Sequence, residues 1–371
     1  MISLVGRLLA PEDRGVRLVV VEDGRVARIA GAAEAPADAL GGPESWIVPG
    51  LVDIQLNGAF GVDFSDPSAD IAQAAAALPA TGVTAFLPTI VSAAPDRYQP
   101  AMVNLSRPVP PGAARPLGIH LEGPYLSPER RGAHDPSALR MPNLDEAAAW
   151  VAEGTVRIVT LAPELPGAVE LIERLTSEGV IVAIGHSDAS WEEADAAISA
   201  GARLGTHQFN AMRPFHHRDP GIAGRLLAPG VAVSAVCDGI HVAPEVIALV
   251  AALKAPDDLI FVTDGLAALG QPPGAYRLGS QEVTSDGAAA RLSDGTISGS
   301  VTPMAPALGR LIASGLHPET VVRAASTNPA RLLGLDGELG RIEVGRIADL
   351  VILDAEWNAV LSLVHGHPAA V

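Results

Sequence analysis

From Leu51 to Asp264 the chain repeats one pattern eight times: a short aliphatic or β-branched run followed by a segment with helical spacing. The runs begin near Leu51 (LVDIQL), Gly82 (GVTAFLP), Pro116 (PLGIHLE), Val156 (VRIVTL), Val180 (VIVAIGH), Ala202 (ARLGTHQ), Val231 (VAVSAVCD) and Leu259 (LIFVTD). Alternation of this kind is expected of parallel βα units and not of an antiparallel sandwich. Its count and spacing predict an α/β fold, a closed (β/α)8 TIM barrel. Helices are expected over 70–78, 145–152, 168–178, 192–200 and 244–254, several opening on an acid or proline and ending at glycine.

The flanking segments read differently. Residues 17–29 look like a hairpin turning at Asp23-Gly24, and 345–353 is a strand-like run after the last helix. Together they predict a small β-sandwich domain built from both chain ends, 1–49 with 341–371, around a catalytic barrel of 50–340. Between the eighth run and the final two helices, a turn-rich stretch over 271–300 carries Asp-Gly pairs at Asp286 and Asp294, the sign of hairpins.

Composition removes several function classes. The 42 acidic against 25 basic residues give a net charge of −17 with no basic stripe, so a nucleic-acid partner is not expected. No apolar run is long enough to span a bilayer, so no membrane partner is expected either. The single Cys237 and the absence of a signal-peptide pattern at Met1 to Ala10 point to a soluble, cytoplasmic protein.

In such barrels the chemistry gathers at the carboxyl ends of the strands, so a polar residue ending an apolar run carries weight. That rule selects Gln55 and Asn57 on the first run, Glu122 on the third, His186 on the fifth and His207 on the sixth. Asp238 with His241 ends the seventh and Asp264 the eighth. One histidine at a strand end is more often a satisfied polar cap than a ligand. Two imidazoles and a carboxylate together form a three-ligand set for a catalytic cation, which Glu122, His186 and His207 can supply. Asp264 is then the candidate general base, taking a proton from water and returning it to a leaving amine.

At these residues the chain resembles the N-acetylglucosamine-6-phosphate deacetylase family of the amidohydrolase superfamily. The motifs are VPGLVDIQLNG (48–58), HLEGPYLSPERRGAH (120–134), GHS (185–187), THQFNAM (206–212), HRDPG (217–221), DGIH (238–241), VTDG (262–265), and NPARLLGL followed by GRIEVGRIADLVILD. The resemblance implies deacetylation of N-acetylglucosamine 6-phosphate, or of another N-acyl amino sugar phosphate such as the galactosamine epimer. It implies one divalent metal per subunit on Glu122, His186 and His207, with Zn2+ the default and Fe2+ or another ion acceptable. It further implies that Asp264 activates water and that His134 polarises the acetyl carbonyl or holds the sugar. The phosphate is assigned to the Asn210 and Ala211 backbone amides, with Arg218 and His241 reaching over from the neighbouring subunit of a homodimer. Gln55 and Asn57 stand where many amidohydrolases carry a histidine pair for a second metal, and both are poor ligands. Gln208 and Gly265 depart from the family's usual residues and are expected to alter the pocket near the sugar.

Overall fold

The computed structural model describes residues 1–369; the last two residues of the expected 341–371 segment lie outside it. All eight predicted runs form parallel strands, each hydrogen-bonded to the next in chain order. They are Leu51–Leu56, Val83–Val91, Ile119–Glu122, Val156–Leu161, Ile181–Ile184, Leu204–Gly205, Ala232–Val236 and Leu259–Val262, here called barrel strands one to eight.

The period of two along each strand sorts side chains into two cores. Val52, Ile54, Ala85, Leu87, Ile158, Ala183, Ile260 and Val262 cluster inside the barrel, closed below by Leu333 and Leu339. Their neighbours Leu51, Phe86, Val159, Val182 and Phe261 face the surrounding helices. Full burial of each such side chain contributes about 1.5–3 kcal/mol, so neither face of a strand is free to turn outward.

Strands one and eight close the ring through a polar seam. The Asp264 N–H donates to Gln55 O at 3.0 Å, and the Asn57 N–H to Gly265 O at 2.7 Å. Below them the buried Asp53 carboxylate accepts from the Thr263 N–H at 3.3 Å, from the Gln55 N–H at 3.2 Å and from the Thr263 hydroxyl. Gly265 sits where these strands touch: a Cβ there would lie 2.8 Å from both Leu56 Cδ1 and Leu269 Cδ1. It is therefore a packing glycine, buried away from the cleft it was expected to reshape.

The expected helices form at Ile71–Ala77, Leu144–Ala152, Ala168–Ser177, Trp191–Ser199 and Pro244–Leu253. Local chemistry sets where several begin. Asp70 accepts from the Ala72 and Gln73 N–H groups, and Ser190 with Glu193 makes a reciprocal capping box. After strand eight, the turn-rich segment folds as a four-stranded antiparallel sheet, Gly274–Leu278, Gln281–Ser285, Ala289–Arg291 and Ile297–Ser300. Helix Met304–Ala313 follows, then a second that runs from Pro318 to Leu332 through a π turn at Arg323–Thr327.

The chain ends meet in one continuous seven-stranded sheet. Four strands come from the start of the chain (Ile2–Leu9, Asp13–Glu22, Arg25–Gly31, Leu40–Pro49) and three from its end (Leu350–Leu353, Ala359–Val364, His367–Pro368). Asp23 and Gly24 both take positive φ (49° and 74°) in the predicted hairpin turn. Leu4, Leu8, Val19, Val26, Ile47, Leu350 and Leu363 form a core separate from the barrel's.

Candidate active site

The upper end of the barrel holds a cleft of about 290 Å³ lined by Asn57, Glu122, His134, His186, His207 and Asp264 among others. Glu122 ends strand three, and its Oε1 lies 3.2 Å from His186 Nε2 and 3.1 Å from His207 Nε2. The two Nε2 atoms are 3.0 Å apart, and the three candidate ligand atoms all lie within 4.8 Å of one another.

The histidine tautomer explains why this is a cation site. His186 Nδ1 faces the Arg130 carbonyl at 2.9 Å, which can only accept, so Nδ1 carries the proton and Nε2 presents a bare lone pair. A lone pair aimed at a carboxylate oxygen and a second imidazole nitrogen is repulsive until a proton or a metal ion lies between them. The donor set of two nitrogens and one oxygen suits a divalent ion such as zinc. Arg130 itself pairs with Asp188 at 2.7 Å, not with Glu122. Burial would raise the Glu122 carboxyl, but the His186, His207 and His134 imidazoles that face it outweigh that and hold it well below its ordinary range.

Backbone strain marks the same residues. His186, His207, Ala211 and Asp264 all adopt left-handed φ values, 47°, 32°, 47° and 53°. Such conformations are costly for side-chain-bearing residues and persist where the surroundings enforce them. For His207 the Ser234 hydroxyl does so by accepting its N–H at 2.7 Å.

Asp264 stands beside this group, half-buried at the edge of the cleft. Its Oδ1 accepts from Asn57 Nδ2 at 2.8 Å and from Gln55 Nε2 at 3.2 Å, while Oδ2 takes no part in these bonds. Burial and the Glu122 charge push the Asp264 carboxyl above its ordinary value. Gln55 Nε2 also donates to Glu122 Oε1 at 2.9 Å, so the two amides at the end of strand one bridge the site's carboxylates as donors. Strand-end polarity pointed to both amides; that their work is to hold carboxylates, as poor ligands but good donors, shows only in the structure.

His134 lies in the loop after strand three with Nε2 3.7 Å from Glu122 Oε2. The Ser92 N–H donates to its Nδ1 at 3.2 Å, which leaves the proton on Nε2, facing the cleft. Burial pushes this imidazole down to about 3, so it is a neutral donor. Ser92 was missed in the sequence, although it closes the second run and obeys the same strand-end rule. Leu278, Thr296, Ile297 and Ser298, from the four-stranded insertion, complete the wall.

Asn210, Ala211 and His241 line the cleft, and Arg218 and Gln208 do not. The Asn210 N–H donates to His207 O at 2.9 Å within a tight turn; the Ala211 N–H is not so engaged. His241 lines the cleft of its own chain, with Nδ1 2.7 Å from Asp238 Oδ2. Arg218 is exposed and absent from the cleft wall, with a guanidinium nitrogen 3.0 Å from His217 Nε2. Gln208 is turned away, donating to Ala223 O at 2.8 Å, and does not shape the pocket.

This geometry has counterparts. The amidohydrolase family model matches residues 46–366. An N-acetylglucosamine-6-phosphate deacetylase of Rattus norvegicus is 41% identical over 339 residues, 86% of this chain and 82% of the relative. The chain belongs to the amidohydrolase family, among its N-acetylglucosamine-6-phosphate deacetylases. The Bacillus subtilis (strain 168) deacetylase of that name is 36% identical over 91% of this chain and 86% of its own. A Mycobacterium smegmatis deacetylase, solved as an aspartate-to-alanine mutant with N-acetyl-D-glucosamine-6-phosphate, superposes with a TM-score of 0.91 at 36% identity. That match covers 100% of this chain and 99% of the other.

Proposed function

We propose that this amidohydrolase removes the acetyl group from N-acetylglucosamine 6-phosphate, giving acetate and glucosamine 6-phosphate. The observation that carries the reading is the convergence of Glu122 Oε1, His186 Nε2 and His207 Nε2 beside the half-buried Asp264 carboxylate with one uncommitted oxygen. Relatives that bear this activity in name span most of the chain.

Glu122, His186 and His207 would hold one divalent ion, with zinc the default. Such an ion supplies Lewis acidity to a water and to the amide carbonyl. Gln55 and Asn57 turn NH2 groups toward the carboxylates, which leaves no second ligand set and favours one ion per chain. Asp264, anchored through Oδ1, takes the water proton on Oδ2 as the new C–O bond forms. It returns that proton to the sugar nitrogen as the C–N bond breaks, so the amine leaves neutral. His134 donates its Nε2 proton as a hydrogen bond to the acetyl oxygen, where negative charge develops.

At the far end of the substrate, His241 and the Ala211 N–H meet the phosphate from the same chain. Arg218, exposed on the HRDPG loop, would reach the phosphate of a neighbouring subunit in a homodimer, its planar fork suiting a dianion. A cytoplasmic location fits a phosphorylated substrate. No helix among the described residues is long and apolar enough to cross a membrane.

Acetate release from the phosphorylated and unphosphorylated sugars tests the assignment. Remote phosphate binding positions the reacting amide, so kcat/KM should fall by at least about 10²-fold without it. Equal kcat/KM for both sugars would contradict the phosphate site, and faster turnover of the galactosamine epimer would move the substrate.

A further inference from the structure

A second cavity, of about 640 Å³, lies at the opposite end of the barrel from the cleft. One side is built by residues just before barrel strands three and four, Leu117 and Gly118 with Gly154 and Thr155. The other is built by the last hairpin of the chain-end sheet, Val364, His365 and His367. Ser362 Oγ donates to Pro79 O at 2.7 Å and fastens that hairpin to the barrel.

The charge of this cavity is the reverse of the molecule's. Arg107, Arg115, Arg157, His365 and His367 line it, and no carboxylate among the described residues does, in a chain whose net charge is −17. Asp349 lies behind the wall, paired with Arg115 and accepting the His365 N–H at 2.6 Å, so it offsets one cation. Arg157 gives one terminal nitrogen to Leu333 O at 2.6 Å. The Arg107 side chain is exposed and has no ion-pair partner among the described residues. Burial and the Arg115 charge push His365 down, so it contributes a neutral ring.

Two polar atoms in the same wall lack partners. Arg115 Nε and Thr155 Oγ1 are buried with no hydrogen bond. A buried donor with no acceptor is rare because it forfeits its hydration without return. Their coincidence in one arginine-lined cavity points to an anionic acceptor.

We propose that this cavity is a second, non-catalytic binding site for a small organic phosphate. The phosphate head meets Arg107, Arg115 and Arg157, whose planar forks match its oxygens in a way an ammonium cannot. The body of the ligand rests on the apolar wall of Pro108, Pro110, Pro111 and Leu117. The volume falls within the range of small-molecule sites, roughly 300–1,000 Å³. Because the terminal hairpin and the barrel floor line the same cavity, an occupant would clamp one to the other and stabilise that junction by mass action.

Phenyl phosphate, which joins a dianionic head to a flat apolar body, is the probe. Calorimetric titration of the metal-loaded full chain should show saturable binding, and thermal unfolding should shift upward with it. The double variant Arg107→Glu/His367→Ala alters two exposed side chains that make no side-chain hydrogen bond among the described residues. It should weaken that event by at least about tenfold while retaining fold and turnover. His241→Ala, in the catalytic cleft, should leave the event in place. The proposal is overturned if no binding is seen, if the double variant binds unchanged, if His241→Ala abolishes binding, or if chloride at equal ionic strength reproduces the shift.

Discussion

The seam that closes the barrel and the cleft above it are built from the same materials, carboxylates carried by the barrel strands and the turns that follow them, yet they are organised oppositely. In the seam, Asp53 uses both oxygens to accept from Thr263 and Gln55. In the cleft, Glu122 Oε1 faces two imidazole nitrogens, and Asp264 leaves one oxygen uncommitted. A buried carboxylate whose lone pairs are filled by donors is architecture. One whose lone pairs converge with others on a common point is prepared for a cation or a proton.

The contrast is broken most directly at Asp264, which belongs to the seam through its backbone and to the cleft through its side chain. Asp264→Asn keeps the shape and the bond to the Asp264 N–H but removes the proton carrier. Its kcat should fall by about 10²–10⁴-fold with little change in unfolding midpoint. Equal losses of activity and stability would show that the residue is structural.

Gly265→Ala probes the other side. The added methyl meets Leu56 and Leu269 at 2.8 Å, so denaturant unfolding should register a loss of about 1–3 kcal/mol. Any fall in kcat should be smaller than that of Asp264→Asn, measured side by side.

A smaller effect separates the two regions by pH. Burial pushes the Asp53 carboxyl up to about 7 from an ordinary 3.8. The folded state thus holds this proton more tightly than the unfolded chain does. The resulting stability is present below the unfolded value and is lost as pH rises toward the folded one. Asp53→Asn should remove a slope of up to about 1.4 kcal/mol per pH unit between the two, seen in unfolding at several pH values across that window. An unchanged slope would mean that Asp53 is ionised throughout.

The barrel was legible in the sequence because its strands, buried on both faces, leave apolar runs that turns and helix caps such as Asp70 and Ser190 punctuate. The convergence of Glu122, His186 and His207 was legible because a polar residue ending an apolar run projects at the strand's carboxyl end. What escaped depends on direction. A tight turn commits the Asn210 amide to His207 O, and packing turns Gln208 toward Ala223, neither of which leaves a mark in residue order. The insertion reads as hairpins from its Asp-Gly pairs, but nothing in those pairs says that Thr296 to Ser298 will wall the cleft.

The central claim is that Glu122, His186 and His207 hold one metal ion on which Asp264 depends for its work. It is tested by stripping the protein of metal and titrating zinc back while acetate release from N-acetylglucosamine 6-phosphate is followed. Activity should be absent in the stripped protein and climb to a plateau at one ion per chain, and Asp264→Asn should bind that same single ion yet stay inactive. Turnover that survives complete metal removal, or that needs two ions to reach its plateau, would contradict it.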